Sequence, residues 1–255
     1  MASPYSWLKI AAASCATVSF RFFPGRCILC QARSHRAVDL CSACEADLPR
    51  VHTPCQQCGL DLRARAPGLN RYCAPCLVNP PPFDRSFSAF NYAPPIRQLI
   101  TEFKQHRQLV IGEVLSQVLA GGYQQQLLER VQQPHSRPDL LLPMPLHPSR
   151  LKSRGFNQAD LIAQVVSRET GIPTDSRRCR RVKQTDDQKG LTAADRRANI
   201  SRAFAVDTPL HGEYIVIVDD VMTTTATVSE LTRCLHRAGA GTIEILTLAR
   251  TPAPK

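Results

Sequence analysis

Acids, aromatics and long apolar runs are all in short supply. The chain holds 21 acidic side chains against 32 basic ones, one tryptophan and an aromatic content of 6%. No stretch reaches the 18 apolar residues that a membrane-crossing helix needs, so none is expected. With 43% hydrophobic residues over 255, the chain still has the material for one or two cored domains. The deficit of acids leaves a net charge of +11, which excludes partners that are themselves strongly basic and favours polyanionic or phosphorylated ones.

What is abundant is cysteine. Eight of the 11 fall into four CxxC pairs, Cys27/Cys30, Cys41/Cys44, Cys55/Cys58 and Cys73/Cys76, while Cys15, Cys179 and Cys234 stand alone. The first 25 residues do not read as a secretory leader, because the apolar run from Ile10 to Phe20 is followed by Arg21 and a cysteine knuckle instead of a small-residue cleavage site. They read as a short helix. A reducing, cytoplasmic setting follows, in which paired CxxC means thiolate ligation of metal and not a disulfide framework. The Cys27–Cys76 segment lacks the apolar stretches for a core of its own, and zinc supplies the missing staple. Two structural zinc ions are expected, one on Cys27, Cys30, Cys41 and Cys44, the second on Cys55, Cys58, Cys73 and Cys76, with a crossed pairing left open. His35 and His52 read as surface residues.

The run Asn79-Pro80-Pro81-Pro82 cannot continue a helix. It sets the expected organisation: residues 1–26 as an N-terminal segment, 27–78 as a double zinc ribbon, 79–84 as a linker and 85–255 as a second domain. In that second domain the spacing predicts a strand over Arg85–Tyr92, a helix from Pro95 carrying Ile96, Leu99, Ile100 and Phe103, and a helix over Leu109–Leu128. A short strand over Asp139–Leu142, a loop over Pro143–Pro148, a helix over Asn157–Thr170, a strand over Tyr214–Val218, a helix over Thr227–Arg237 and a strand over Thr242–Leu248 follow. Helices alternating with β-branched strands imply an α/β fold with a mainly parallel sheet. Arg177–Ile200 reads as a charged loop or flap.

The stretch IVIVDDVMTTTAT, Ile215 to Thr227, ends an apolar strand in two acids and opens into a hydroxyl-rich turn before a helix. Backbone N–H groups at such a helix start, with threonine hydroxyls, suit a phosphate dianion. Asp219 and Asp220 then stand where sugar hydroxyls or a magnesium ion need acceptors, beyond the carboxyl end of a strand. This stretch resembles the 5-phosphoribosyl diphosphate (PRPP) loop of type I phosphoribosyltransferases. The resemblance implies a phosphoribosyl ligand on Asp219, Asp220, Thr223, Thr224, Thr225, Ala226 and Thr227, with Mg bound alongside PRPP. Thr225 departs from the pattern, since that family has a small residue, usually Gly, there. A glycine allows positive φ and close backbone approach, so weaker phosphate binding is expected and catalysis does not follow from the motif.

A second stretch, PMPLHPSRLKSRGFNQ from Pro143 to Gln158, places Arg150, Lys152 and Arg154 in or beside a loop after a strand, where they suit diphosphate or a nucleic-acid backbone. His147 between two prolines reads as surface. Arg154-Gly155-Phe156-Asn157-Gln158 resembles the ComF/GntX family of competence-associated proteins. The order of cysteine module, Tyr92-Ala93-Pro94-Pro95 leading to a helix with Lys104, RGFNQ, then Thr185, Gln188, Leu191, Arg196, Arg197, Asn199 and Phe204, and last the PRPP-type loop is similar to that family throughout. The resemblance implies a double zinc ribbon followed by a phosphoribosyltransferase-like domain, and a role in DNA uptake with DNA-uptake machinery proteins as partners. Arg26, Arg33, Arg36, Arg63, Arg65 and Arg71, with Tyr72 for stacking, are candidates for single-stranded DNA. Three functions remain: a magnesium-dependent phosphoribosyl transferase in nucleotide or cofactor metabolism, a DNA-handling protein that binds a phosphoribosyl ligand, and a zinc module used only for docking.

Overall fold

A computed structural model describes residues 25–62, 71–131, 137–183 and 202–252. The expected N-terminal helix and the segment from Thr185 to Asn199 lie outside the described residues. The chain forms two compact units that divide between Leu48 and Pro49. The Asn79–Pro82 run, where the sequence sets its boundary, lies inside the second unit, and Phe83 directly after it is buried.

In the first unit, Arg26 and Arg33 form an isolated antiparallel bridge that closes a turn around Cys27 and Cys30. Helix α1, Ser42–Ala46, begins at Cys41, whose Sγ accepts from the Cys44 N–H. The second unit opens with a copy of this arrangement. Pro54 and Asp61 bridge around Cys55 and Cys58, and helix α2, Ala74–Val78, begins at Cys73. The residue after the second cysteine has positive φ in both copies, 61° at Gln31 and 67° at Gly59. That backbone lets Gln31 and Gly59 donate to the carbonyls of Cys27 and Cys55, each at 2.9 Å.

The remainder of the second unit is built on β1 (Arg85–Asn91), α3 (Ile96–Gln105), α4 (Leu109–Glu129), β2 (Leu140–Pro143), α5 (Pro148–Arg154), α6 (Gln158–Thr170), β3 (Cys179–Arg181), β4 (Phe204–Val206), β5 (Ile215–Met222), α7 (Ala226–Arg237) and β6 (Ile243–Arg250). Strands β1, β6, β5 and β2 lie in that order in an all-parallel sheet. β3 and β4 pair antiparallel, so part of the segment read as a charged loop is a strand; three residues, two of them arginine, carry no apolar period to reveal it.

Parallel sheets need both faces covered. Helix α4 packs against β1 and β6 and against α6, which packs against β5 and β2. A single buried cluster joins Ile215 and Ile217 of β5 and Ile243 and Ile245 of β6 to Val228, Leu231 and Leu235 of α7. The same cluster takes in Cys55, Cys58, Cys73, Cys76, Leu62 and Phe83. The second cysteine module therefore serves as cover for the sheet beside α7, and sheet residues hold it there. Ser86 donates to the Gln57 carbonyl at 2.7 Å, while Gln57 Nε2 donates to the carbonyls of Pro81 and Phe83 at 3.0 and 2.9 Å. A Cβ on Gly59 would stand 3.0 Å from Ser86 Oγ, a tight contact that adds to the strain any other residue carries at its positive φ.

A charged group is buried at the sheet's amino edge. Glu244 is wholly buried and takes Tyr123, Tyr214 and Arg130 as partners, with Arg130 Nη1 at 3.1 Å. Burial first, and the adjacent carboxylate second, push both tyrosine hydroxyls up, so they remain donors.

Candidate phosphoribosyl site and cysteine clusters

The site begins where β5 loses a neighbour. β2 pairs with β5 only to Val218, whereas β6 continues beside it to Met222. Asp219 and Asp220 thus extend the strand past its last residue with two partners, which is why strand geometry runs four residues beyond the predicted end. Asp219 Oδ1 accepts the Asp220 N–H at 2.9 Å and Asp220 Oδ1 accepts the Val221 N–H at 2.6 Å, fixing both carboxylates against their own backbone.

Lys104, at the end of α3, places Nζ 2.7 Å from Asp220 Oδ2. Its helix starts beside a cis Pro94–Pro95 bond and buries Ile96, Leu99, Ile100 and Phe103. Burial, and then the charge of Asp220, push the Asp219 carboxyl up to about 7, against the pull of Lys104, the Asp220 N–H and Arg181. Arg181 at the end of β3 lies within electrostatic range of both Asp219 and Arg150; burial first, and then Arg150, lower its affinity for a proton. The ends of α3, β3 and β5 and the start of α5 therefore bring two acids and three cations into one neighbourhood.

The RGFNQ stretch is a joint between helices. Gly155, φ 81°, ends α5, and a Cβ there would stand 2.9 Å from Arg107 Nη2. Phe156 rests against Phe103 with ring centroids 5.7 Å apart. Asn157 caps α6 through Oδ1 to the Ala159 N–H and donates Nδ2 to the Met144 carbonyl beyond β2, both at 3.1 Å. Gln158 is 2% exposed; Oε1 accepts from Arg154 at 3.1 Å, and Nε2 has no hydrogen-bond partner among the described residues. Arg150, Lys152 and Arg154 stand on the short helix α5, not in a loop, with Lys152 exposed and the arginines half-buried. His147 caps that helix, its Nδ1 accepting the Ser149 N–H.

Thr223 and Thr224 are exposed in the turn after β5, and Thr225, Ala226 and Thr227 are half-buried at the start of α7. Thr225 has φ −77° and ψ −1°, a conformation open to any residue. The positive φ that a glycine would allow is not adopted at Thr225.

The four Sγ atoms of Cys27, Cys30, Cys41 and Cys44 lie within 4.8 Å of one another, as do those of Cys55, Cys58, Cys73 and Cys76. Sequence neighbours meet; the pairs are not crossed. A zinc ion with Zn–S bonds of about 2.3 Å sets tetrahedral sulfurs about 3.8 Å apart. The Cys30–Cys41 and Cys58–Cys73 sulfurs are 3.8 and 3.5 Å apart. Within each cluster the thiols are not equivalent. Cys55 is drawn down to about 4, chiefly by the Cys58 thiol, and Cys27 to about 6 because the N–H groups of Cys30, Cys41 and Leu29 outweigh burial. Cys44 is pushed up to about 12 by its Cys41 and Cys30 neighbours, Cys76 to about 12 by burial, and Cys58 upward by Cys55. Four thiolates in one place repel, and a dication removes that repulsion; donor set and spacing both fit structural zinc.

A double zinc ribbon family model matches residues 19–77. DNA utilization protein YhgH of Salmonella typhimurium is 37% identical over 231 residues, covering 89% of this chain and 98% of its own. Competence protein F of Haemophilus influenzae is 34% identical, covering 90% and 98%. The chain belongs to this YhgH and competence protein F family. Competence protein ComFC of Bacillus subtilis is 30% identical over 116 residues, covering 44% of this chain and 45% of its own. Among solved structures, a purine phosphoribosyltransferase from Pyrococcus horikoshii aligns with a TM-score of 0.33 at 20% identity, covering 52% of this chain and 70% of its own. A hypoxanthine-guanine phosphoribosyltransferase from L. donovani aligns with a TM-score of 0.36 at 15% identity, covering 56% and 72%.

The sequence marks the acids, the threonines and the cysteines, and Lys104 only as part of a pattern. It does not single out Arg181 and Arg250, which sit at strand ends in a chain with 26 arginines, where no local signal separates them. Among the described residues no helix is long and apolar enough to cross a membrane.

Proposed function

We propose that this member of the YhgH and competence protein F family binds PRPP or a related phosphoribosyl ligand at the carboxyl edge of its sheet and acts in the uptake or processing of DNA. The observation that carries the ligand reading is the pair Asp219 and Asp220, set at the end of β5, with Lys104 paired to Asp220 and the Thr223–Thr227 turn following. The two carboxylates accept the ribose hydroxyls. The loop N–H groups and threonine hydroxyls take the 5-phosphate at the start of α7. Arg150, Lys152, Arg154 and Arg181 supply positive charge for the diphosphate, and Gln158 Nε2 is a buried donor still to be satisfied. Magnesium would add charge that offsets the two acids and the diphosphate together. Two zinc ions hold the cysteine clusters, and thiols kept free of disulfides suit a cytoplasmic protein.

The DNA reading rests on the relatives named for DNA utilization and competence, and on a cavity of about 950 Å³ at the opposite, amino edge of the sheet. Arg71, Tyr72, Arg85, Arg130 and His52 line it, with Asp84 as its acid. Basic side chains beside an exposed tyrosine suit a single strand. The ligand reading is tested by calorimetric titration of the full chain with PRPP, with and without magnesium, in the native sequence and in Asp219→Asn/Asp220→Asn. Binding that the double variant weakens at least tenfold is expected; equal binding in both would place the sugar elsewhere. Release of diphosphate on adding a nucleobase would make the chain a transferase.

A further inference from the structure

Arg250, the last residue of β6, is 7% exposed and its guanidinium is shared between two structures that the sequence keeps far apart. Nε donates to the Cys58 carbonyl at 2.9 Å. Nη1 donates to the carbonyls of Met222 and Thr223 at 2.9 and 2.7 Å, and to its neighbour Thr251 at 3.0 Å. Cys58 belongs to the second cysteine cluster; Met222 and Thr223 are where β5 becomes the threonine turn. A planar guanidinium with donors in a fixed fork transmits position from one set of carbonyls to the other, which a flexible ammonium does not. The Cys58 carbonyl belongs to a residue whose own sulfur is one of the four in the cluster, and the rest of its CxxC turn is seated by Gly59 donating to Cys55 and by Ser86 donating to Gln57.

We infer that Arg250 is a positioning residue through which metal in the Cys55, Cys58, Cys73 and Cys76 cluster holds the Thr223–Thr227 turn in shape, so that phosphoribosyl affinity depends on occupancy of the second zinc site. The coupling rests on the proposed ligand reading for its affinity half only. With the cluster filled, the Cys58 carbonyl is stationary, the fork is locked, and the start of the turn at Met222 and Thr223 is held before ligand arrives. With the cluster stripped, the CxxC turn relaxes, and the fork no longer has a fixed partner from which to hold Met222 and Thr223. The second cysteine module is then part of the binding site's support as well as cover for the sheet.

The test is a double cycle on the full chain, with Arg250→Lys on one axis and zinc removal on the other, in a Cys44→Ser background so that chelation reports on the second cluster. Two quantities are read: hydrogen exchange at the amides of Thr223 to Thr227 without ligand, and the Kd for PRPP. Stripping zinc should speed exchange in the turn and weaken PRPP by about tenfold, within the range of coupled sites. Arg250→Lys, with its zinc content intact, should do the same, and stripping it should add little further. Exchange in the turn that ignores zinc, or effects of the two changes that simply add, would overturn the inference. Coupled exchange in a chain that binds no PRPP would uphold the strut and defeat the ligand reading. If Arg250→Lys fails to fold, zinc is titrated back into the stripped parent chain while exchange in the turn is followed: slowing in step with zinc uptake supports the coupling, and exchange indifferent to zinc overturns it.

Discussion

Lys104 Nζ and Asp220 Oδ2 are 2.7 Å apart, joining the end of α3 to the end of β5. Without that cation, Arg181 is left as the opposing charge that draws the Asp219 carboxyl down against burial and the neighbouring Asp220. Lys104→Met is expected to destabilise the protein by about 1–2 kcal/mol, since removing one member of a part-buried pair costs more than an exposed pair contributes. Magnesium should raise the melting temperature of the variant more than that of the parent. Equal responses would mean that the acids do not share a cation site.

The Asp219 carboxyl titrates at about 7 in the fold against 3.8 when exposed. The native state therefore keeps a proton that the unfolded chain releases, so this group's contribution is most favourable below pH 4 and is lost as pH rises through 7. Asp219→Asn should raise the melting temperature at pH 8 and change it little at pH 4, while abolishing PRPP binding. A variant equally stabilised at both pH values would locate the effect in packing instead of charge.

Gly59 has φ 67°, and an added Cβ would stand 3.0 Å from Ser86 Oγ, a tight contact from which that hydroxyl would have to give way. Gly59→Ala combines left-handed strain of about 1–2 kcal/mol with that contact. It should lower zinc retention in the second cluster, measured by the rate of zinc release to a chromogenic chelator. Gln31, the matching position of the first unit, carries a side chain at φ 61°, so Gln31→Gly should leave zinc retention there unchanged or improved.

Elemental analysis should find two zinc per chain in protein purified under reducing conditions, because eight sulfurs form two closed sets of four. Cys58→Ser removes one ligand and the energy that metal contributes to folding. The content should fall to about one, with Cys179→Ser and Cys234→Ser leaving it at two. A value near one in the parent would mean that one cluster is not a zinc site.

The parallel sheet and the placing of two acids at the end of β5 before a threonine turn were legible because their signals are local: β-branched runs, a pair of acids and a run of threonines. The cysteine pairs were legible for the same reason, as ligand spacing within each turn is a sequence property. What escaped was long-range. Nothing in the composition of Leu62 and Phe83 says that a ribbon will stand in for a helix on one face of the sheet, since two apolar side chains do not make a period. Arg250 and Arg181 take their meaning from partners on other strands, and Thr225 from a φ that the sequence does not print.

Two basic surfaces lie at opposite edges of the sheet, and the proposed DNA role has to be assigned to one of them. The +11 charge alone predicts weak, salt-sensitive association with any nucleic acid, on the order of 0.1 mM to 1 µM at physiological salt, and a built path would do better. The amino-edge cavity offers Arg71, Arg85 and the exposed Tyr72; the sequence candidates Arg63 and Arg65 lie outside the described residues. The carboxyl edge offers Arg150, Lys152 and Arg154 on α5. Each phosphate neutralised on a single strand contributes about 0.7 to the slope of log affinity against log salt, so Arg71→Gln with Arg85→Gln should flatten that slope by roughly 1.4 if both contact the backbone. Tyr72→Ala should weaken binding at every salt concentration with the slope unchanged, because stacking releases no counterion. PRPP should not compete, since the site proposed for it lies at the opposite edge of the sheet. Competition by PRPP, together with a slope that responds to Arg150, Lys152 and Arg154 and not to Arg71 and Arg85, would move the strand onto the phosphoribosyl site.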